Sequence, residues 1–154
     1  MGNARAEIEV AGPISAAEDL WYDTARWPSF VDGFGHLVKQ EEGWPREVGA
    51  RVVWDSVRNG RGRVMEKVVR YEVRVSQAVA VEDPRITGTQ KITFAPAEEG
   101  RCRVTLELEY RMKGAGPFGP VVDALFVRRM FRDALRRTLS RFAREVRSDR
   151  ELGV

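Results

Sequence analysis

With 154 residues, 43% of them apolar and 32% charged, the chain can bury one core without covalent staples but is too short to split into two stable domains, so a single domain over 1–154 is expected. A formal charge of +3 spread over 26 basic and 23 acidic residues is too faint a footprint for nucleic-acid binding, and no apolar run approaches the roughly 20 residues of a membrane-spanning helix. One cysteine, Cys102, and one histidine, His36, exclude an internal disulfide and an all-protein zinc site, and no cofactor is implied.

The first residues run straight into alternating sequence with no apolar signal core, which points to the cytoplasm. Ala4, Ala6, Ile8 and Val10 alternate with Arg5, Glu7 and Glu9, the period of a half-buried strand. Gly12-Pro13 ends it. Ser15 and Glu18 have the spacing of a capping box, which predicts a short helix from about Ser15 to Thr24. Trp27-Pro28 punctuates the chain, and Ser29 to Val31 reads as one more helical turn before Gly33 and Gly35. Strands are predicted over Leu37 to Glu42 and Ala50 to Arg58, either side of a loop containing Trp44-Pro45; both Trp-Pro pairs read as loop anchors. Asn59-Gly60 suits a type I′ hairpin that folds a strand over Arg61 to Glu72 back on its predecessor. Val73, Val75, Val79 and Val81 share one parity in the next strand, which Asp83-Pro84 ends, and Ile86, Ile92 and Phe94 share one in the strand after it.

Arg101 to Met112 is the cleanest strand, with Cys102, Val104, Leu106, Leu108, Tyr110 and Met112 on one face and charged residues and Thr105 on the other. Pro117 or Pro120 suits the first turn of a helix of roughly 28 residues, about 42 Å long, reaching Arg147. Val127, Phe131, Ala134, Leu135, Thr138, Leu139, Phe142 and Val146 form one stripe along it. Phe118, Val121, Val122 and Leu125 form a second that does not continue into the first, so Phe118 to Phe126 is expected to be a gate or a second contact surface. The arginines between Arg128 and Arg147 read as a solvated outer face, with transient contact to an anionic membrane as the alternative.

The element order β-α-α-β6-α, with Ile8-Glu9-Val10, Leu20-Trp21, Trp27-Pro28, the stretch Val48 to Trp54, the stretch Val104 to Tyr110 and the terminal helix, resembles the START-like superfamily, also called SRPBCC, and within it the polyketide cyclase/dehydrase and lipid transport group. The resemblance covers nearly the whole chain. It implies an α+β helix-grip fold, a curved antiparallel sheet of about seven strands wrapped around a long C-terminal helix, with a cavity for a lipid, polyketide, quinone or similar apolar partner. It implies no single chemistry, because carriers, binding modules and enzymes share the fold.

Strand parity puts Trp54, Gln90 and Tyr110 on the concave face with Val52, Ile92, Phe94, Leu106 and Leu108, and these eight are the expected ligand-binding set. A buried indole, amide or phenol left unpaired costs about 1–3 kcal/mol, so each needs a protein group, a water or a ligand. Candidates for proton transfer are His36, Tyr110 and Glu66. A lone histidine beside glycines is more often a surface residue. Glu66 shares parity with Val64 and Val68, which turns it inward, while Met65, Val69 and Tyr71 argue equally for the other face. Arg128 and Arg132 border the helix's apolar stripe, where either can meet an acidic ligand or solvent, and Cys102 fills space. The expected function is a carrier or binding protein for an apolar small molecule. A polyketide cyclase or dehydratase is the alternative, and a ligandless protein-docking module the third reading.

Overall fold

The alternation of the first residues gives β1 (Gly2–Ala11). Two short helices follow, α1 (Ile14–Tyr22) and α2 (Trp27–Phe30), joined by a 3₁₀ turn at Thr24–Arg26. Six strands come next: β2 (Phe34–Gln40), β3 (Arg51–Ser56), β4 (Arg63–Glu72), β5 (Ser76–Glu82), β6 (Ile86–Pro96) and β7 (Arg101–Met112). The long helix α3 (Gly119–Glu151) follows them. This computed structural model describes residues 1–114 and 119–153, and the side chains of these apart from 119–123. The strands form one antiparallel sheet in the order β1-β7-β6-β5-β4-β3-β2. The chain therefore leaves one edge after β1, crosses to the far edge through α1 and α2, and returns strand by strand until β7 meets β1. This is the α+β helix-grip fold.

The apolar stripe of α3 lies on the concave face, with Val127, Phe131, Leu135, Thr138, Leu139, Phe142 and Val146 all buried. Phe142 is fully enclosed. Its ring lies 5.5 Å from Trp21 of α1 and 5.2 Å from Phe30 of α2, and those two rings are 5.7 Å apart, so one aromatic triangle binds the three helices. The C-terminus of α1 is closed by two indoles: Trp27 Nε1–H donates to the Trp21 carbonyl at 2.8 Å and Trp44 Nε1–H to that of Tyr22 at 3.2 Å. They supply donors that helix-end carbonyls lack, and the Trp-Pro pairs are anchors for that reason. Ion pairs add a second tie. Arg26 meets Glu145 at 2.7 Å and Asp149 at 2.9 Å, while Asp32 accepts from Arg137 and Arg141 at 3.0 Å each. Part of the arginine-rich face is thus paired to the segment around α2 while its side chains stay exposed.

Several local expectations are corrected. The Ser15/Glu18 capping box does not form: α1 starts one residue earlier, with Pro13 as an N-cap that makes no side-chain hydrogen bond. Glu18 is buried instead, and its Oε2 accepts the Arg74 N–H at 2.6 Å, so a long-range bond outcompetes the local one. Arg74 has φ of +59° in the turn between β4 and β5, which leaves Val73 and Val75 exposed and only Val79 and Val81 facing the core. Asn59 takes φ of +66°, but the next left-handed residue is Gly62 at +85° rather than Gly60. A loop of residues 57–62 therefore replaces the two-residue hairpin. The second helix begins at Trp27, with Pro28 in its first turn, where a missing N–H costs nothing. The last helix continues past Arg147 to Glu151. Pro117 and the side chains of Phe118, Val121 and Val122 lie outside the described residues. Of the expected gate segment, Leu125 and Phe126 are 72% and 68% exposed.

The aromatic triangle makes a quantitative expectation. Phe142→Ala should lower the unfolding free energy by about 3–5 kcal/mol, the range for emptying a buried phenylalanine site, whereas Leu125→Ala should stay within about 0.5 kcal/mol of the parent. Urea denaturation of both variants measures this, and equal midpoints would contradict it.

Candidate functional site

α1 and α2 pack against α3 through Trp21, Phe30 and Phe142, and between the rest of α3 and the sheet a cavity of about 460 Å³ remains. That lies within the roughly 300–1,000 Å³ usual for small-molecule sites. Its walls are mainly apolar: Val81, Ile86, Leu106 and Leu108 from the sheet, Trp21 and Trp27 from the short helices, and Val127, Met130, Phe131 and Leu135 from α3. Polar groups enter from Glu66 on β4, Gln90 on β6, the loop Ser56 to Arg61, the turn at Asp83 and Arg85, and Asp32 after α2.

Glu66 points inward and is only 7% exposed. A register shift between Val68 and Arg70 explains why its parity could be read both ways. Before that bulge the even residues of β4 face the core; after it Tyr71 does, its ring 5.9 Å from Tyr22, and Val69 is left outside. Trp54 Nε1–H donates to Glu66 Oε2 at 2.7 Å. Burial pushes the Glu66 carboxyl above its ordinary value, and the Trp54 bond and the charge of Arg61 oppose that only in part. The group therefore keeps its proton to a higher pH than an ordinary carboxyl, and it can donate or accept one among apolar walls.

Of the eight expected ligand-binding residues, Trp54, Gln90, Leu106 and Leu108 line the cavity. Gln90 is half-buried, and its amide hydrogen-bonds to none of the described residues. Val52, Ile92 and Phe94 are buried without lining it; Phe94 meets Tyr22 at 6.3 Å, so α1 already covers that part of the concave face. Tyr110 is buried as well, but it is not among the lining residues. Its ring packs 4.9 Å from Phe131 and over Gly2, its cross-strand partner, where a Cβ would fall 2.2 Å from the ring. Its hydroxyl has no partner among the described residues, and burial raises its pKa against the opposing charge of Arg128.

His36 does not reach the cavity. It lies on the edge strand β2 with its side chain 69% exposed, 3.3 Å from Asp55, and so cannot act as the cavity's acid or base. Arg128 is exposed and Arg132 half-buried, neither lining the space. Cys102 is buried in the core, its thiol pushed up by burial.

The sequence reading missed Asp32, Arg61 and Asp83. Asp32 donates its N–H to Thr138 Oγ1 at 2.9 Å; burial pushes its carboxyl up, but Arg137 and Arg141 outweigh that and hold it below the usual range. Arg61 Nε–H donates to Asp83 Oδ2 at 2.8 Å, and its guanidinium lies 5.4 Å over the Phe131 ring. Asp83 Oδ1 accepts the N–H groups of Arg85 and Ile86 at 2.8 and 2.9 Å. An aspartate bonding its own following backbone is the one signal that Asp83-Pro84 carried in sequence.

Residues 1–147 match the sequence model of the family described as polyketide cyclase/dehydrase and lipid transport. No curated protein gives a match. Among solved structures, the protein TTHA0849 from Thermus thermophilus is similar at a TM-score of 0.75 and 19% identity, over 95% of this chain and 97% of that one. Norcoclaurine synthase from Thalictrum flavum aligns at 0.70 and 15% identity, over 96% and 95%. A START superfamily protein from Mycobacterium smegmatis aligns at 0.65 and 13%, over 88% and 94%. At these identities the structural likeness establishes the fold alone.

The raised carboxyl predicts a pH dependence. A folded state that holds the Glu66 proton more tightly than the unfolded chain is fully stabilised by it below the ordinary value of 4.5, and loses that stability as pH rises from there through the raised value. Glu66→Gln, whose amide oxygen still accepts from Trp54, removes the loss. Its melting temperature should gain on the parent's as pH rises above 4.5. Parallel curves in thermal unfolding would mean that the carboxyl ionises freely in the fold.

Proposed function

The chain belongs to the polyketide cyclase/dehydrase and lipid transport family, and on that premise we propose that it is a carrier or binding protein for an apolar small molecule held between the sheet and α3. The observation that carries this reading is the cavity of about 460 Å³, apolar in most of its lining and supplied with a few inward polar groups. Affinity would come from apolar burial, at about 25 cal/mol per Å² removed from water. Orientation would come from the Glu66–Trp54 pair and the Gln90 amide. An open interior favours this over a docking module with a filled core. Norcoclaurine synthase, which shares the fold, has been solved in complex with dopamine and hydroxybenzaldehyde, so an architecture of this kind accommodates small aromatic molecules.

A second reading, proton transfer on a polyketide-like substrate, is favoured by Glu66 itself. A buried carboxyl with a raised pKa inside a cavity is a common arrangement for a general acid or base. In its ionised form it would take an acidic C–H proton from a bound β-dicarbonyl, leaving an enolate and a protonated Glu66.

A long-chain fatty acid, a naphthoquinone and an aromatic polyketide titrated by calorimetry test the first reading. At least one should bind with a negative heat-capacity change, and Ala134→Phe, which fills the space from α3, should weaken it at least about tenfold while the protein stays folded. Binding that Ala134→Phe leaves untouched would place the ligand elsewhere. For the second reading, deuterium uptake from solvent into 1-phenyl-1,3-butanedione, followed by NMR, should be accelerated by the protein and slowed by Glu66→Gln about 100-fold or more. Equal rates in the two proteins would leave the carrier reading alone.

A further inference from the structure

The Arg61–Asp83 pair is incomplete in a way that three two-pronged arginine–carboxylate pairs of the protein are not. Arg51 with Glu41, Arg63 with Asp55 and Arg137 with Asp32 each bond through both Nε and Nη2, at 2.8 to 3.1 Å. Arg61 bonds through Nε alone. The oxygen that would take its Nη2, Asp83 Oδ1, is already occupied by the two backbone N–H groups of the turn. Nη2 is consequently buried without a partner among the described residues, in a side chain that lines the cavity beside Asp83 and Phe131.

We infer that Arg61 is the recognition residue for a planar acidic group, a carboxylate or an enolate oxygen, on the cavity's ligand, so that this protein takes up apolar acids in preference to their neutral counterparts. The inference rests on the cavity being a ligand site. A guanidinium presents a flat fork of donors, which suits a planar oxyanion better than a hydroxyl or an ester. Three carboxyls also line the space, but none competes strongly for the same edge: Asp32 is held by Arg137 and Arg141. Asp83 divides its oxygens among three donors, and Glu66 is occupied by Trp54. The guanidinium lies over the face of Phe131, and a small shift along that face would bring the buried Nη2 to a ligand oxygen. Asn59, Gly60 and Arg61 share one loop, so the residue that binds the acid is carried by a connection and not by the rigid sheet.

Displacement of the neutral fluorophore N-phenyl-1-naphthylamine by 2-naphthoate and by its uncharged isostere 2-naphthamide tests this in the whole chain. The parent should bind the acid at least about tenfold more tightly than the amide, the yield of one charge-assisted bond over a neutral one. Arg61→Gln should bring that ratio close to one by weakening the acid far more than the amide, and Arg61→Lys, which keeps the charge and loses the fork, should fall between. The amide reports in each variant that the cavity is intact. Equal affinities for acid and amide in the parent, or an undiminished ratio in Arg61→Gln, overturns the inference and leaves the cavity reading standing. Failure of the fluorophore, the acid and the amide all to bind the parent overturns both.

Discussion

The aromatic contact of Phe142 with Trp21 and Phe30 is what the rest of the architecture depends on. It fixes α3 where α1 and α2 reach it, and the ion pairs of Arg26 with Glu145 and Asp149 reinforce that end. Both short helices are spent there. Over the earlier turns of α3, residues such as Val127, Phe131 and Leu135 meet the sheet without an intervening helix, and the space between is not filled by side chains. Emptied core volume is destabilising, so a cavity of this size persists because the clamped end is packed well enough to offset it. Stability and the binding volume are thus divided along one helix.

The same division governs the electrostatics. At the clamped end, charges are exposed or half-exposed and paired, and each such bond contributes little. Inside the cavity the few polar groups are desolvated, and their interactions weigh more per contact. Glu66 has an indole N–H to meet it and Asp83 has three donors. What these groups lack is a complete set of partners, as the Gln90 amide and the Arg61 guanidinium illustrate. A carrier and a proton-transfer enzyme would use the same carboxyl, and the difference between them lies in the molecule bound rather than in the protein's frame.

Much of this was legible in the sequence, for identifiable reasons. β7 could be traced residue by residue because it is central and regular, and a two-residue period leaves no freedom when one face is buried on both sides by full-length neighbours. The stripe from Val127 to Val146 was equally plain. Glu66 resisted because a bulge lies three residues away, and a periodicity argument has no means of detecting an inserted residue. Tyr110 was placed on the correct face, yet parity says nothing about position along a strand or about Gly2 opposite, whose missing side chain lets the ring settle over β1. Arg61 and Asp83 were hidden differently: each sits in a turn, and their bond joins residues 22 apart in the chain. Local pattern marked a chain reversal near each but put Arg61 in the strand that follows; only the closed sheet brings them together.

The position of β1 has a consequence for synthesis. Its ladder runs along β7, with Gly2 opposite Tyr110 and Ala11 opposite Arg101, so the first strand of this sheet to be made waits for the last before it gains a partner. Strands β2 to β6 are sequential neighbours and can pair as they emerge, while α1 and α2 have no α3 to hold them. Nascent chains therefore expose an unpaired edge and an uncovered concave face until β7 and α3 have been made. The binding volume comes into being in a single late step, when α3 closes over a sheet that β1 has only just joined.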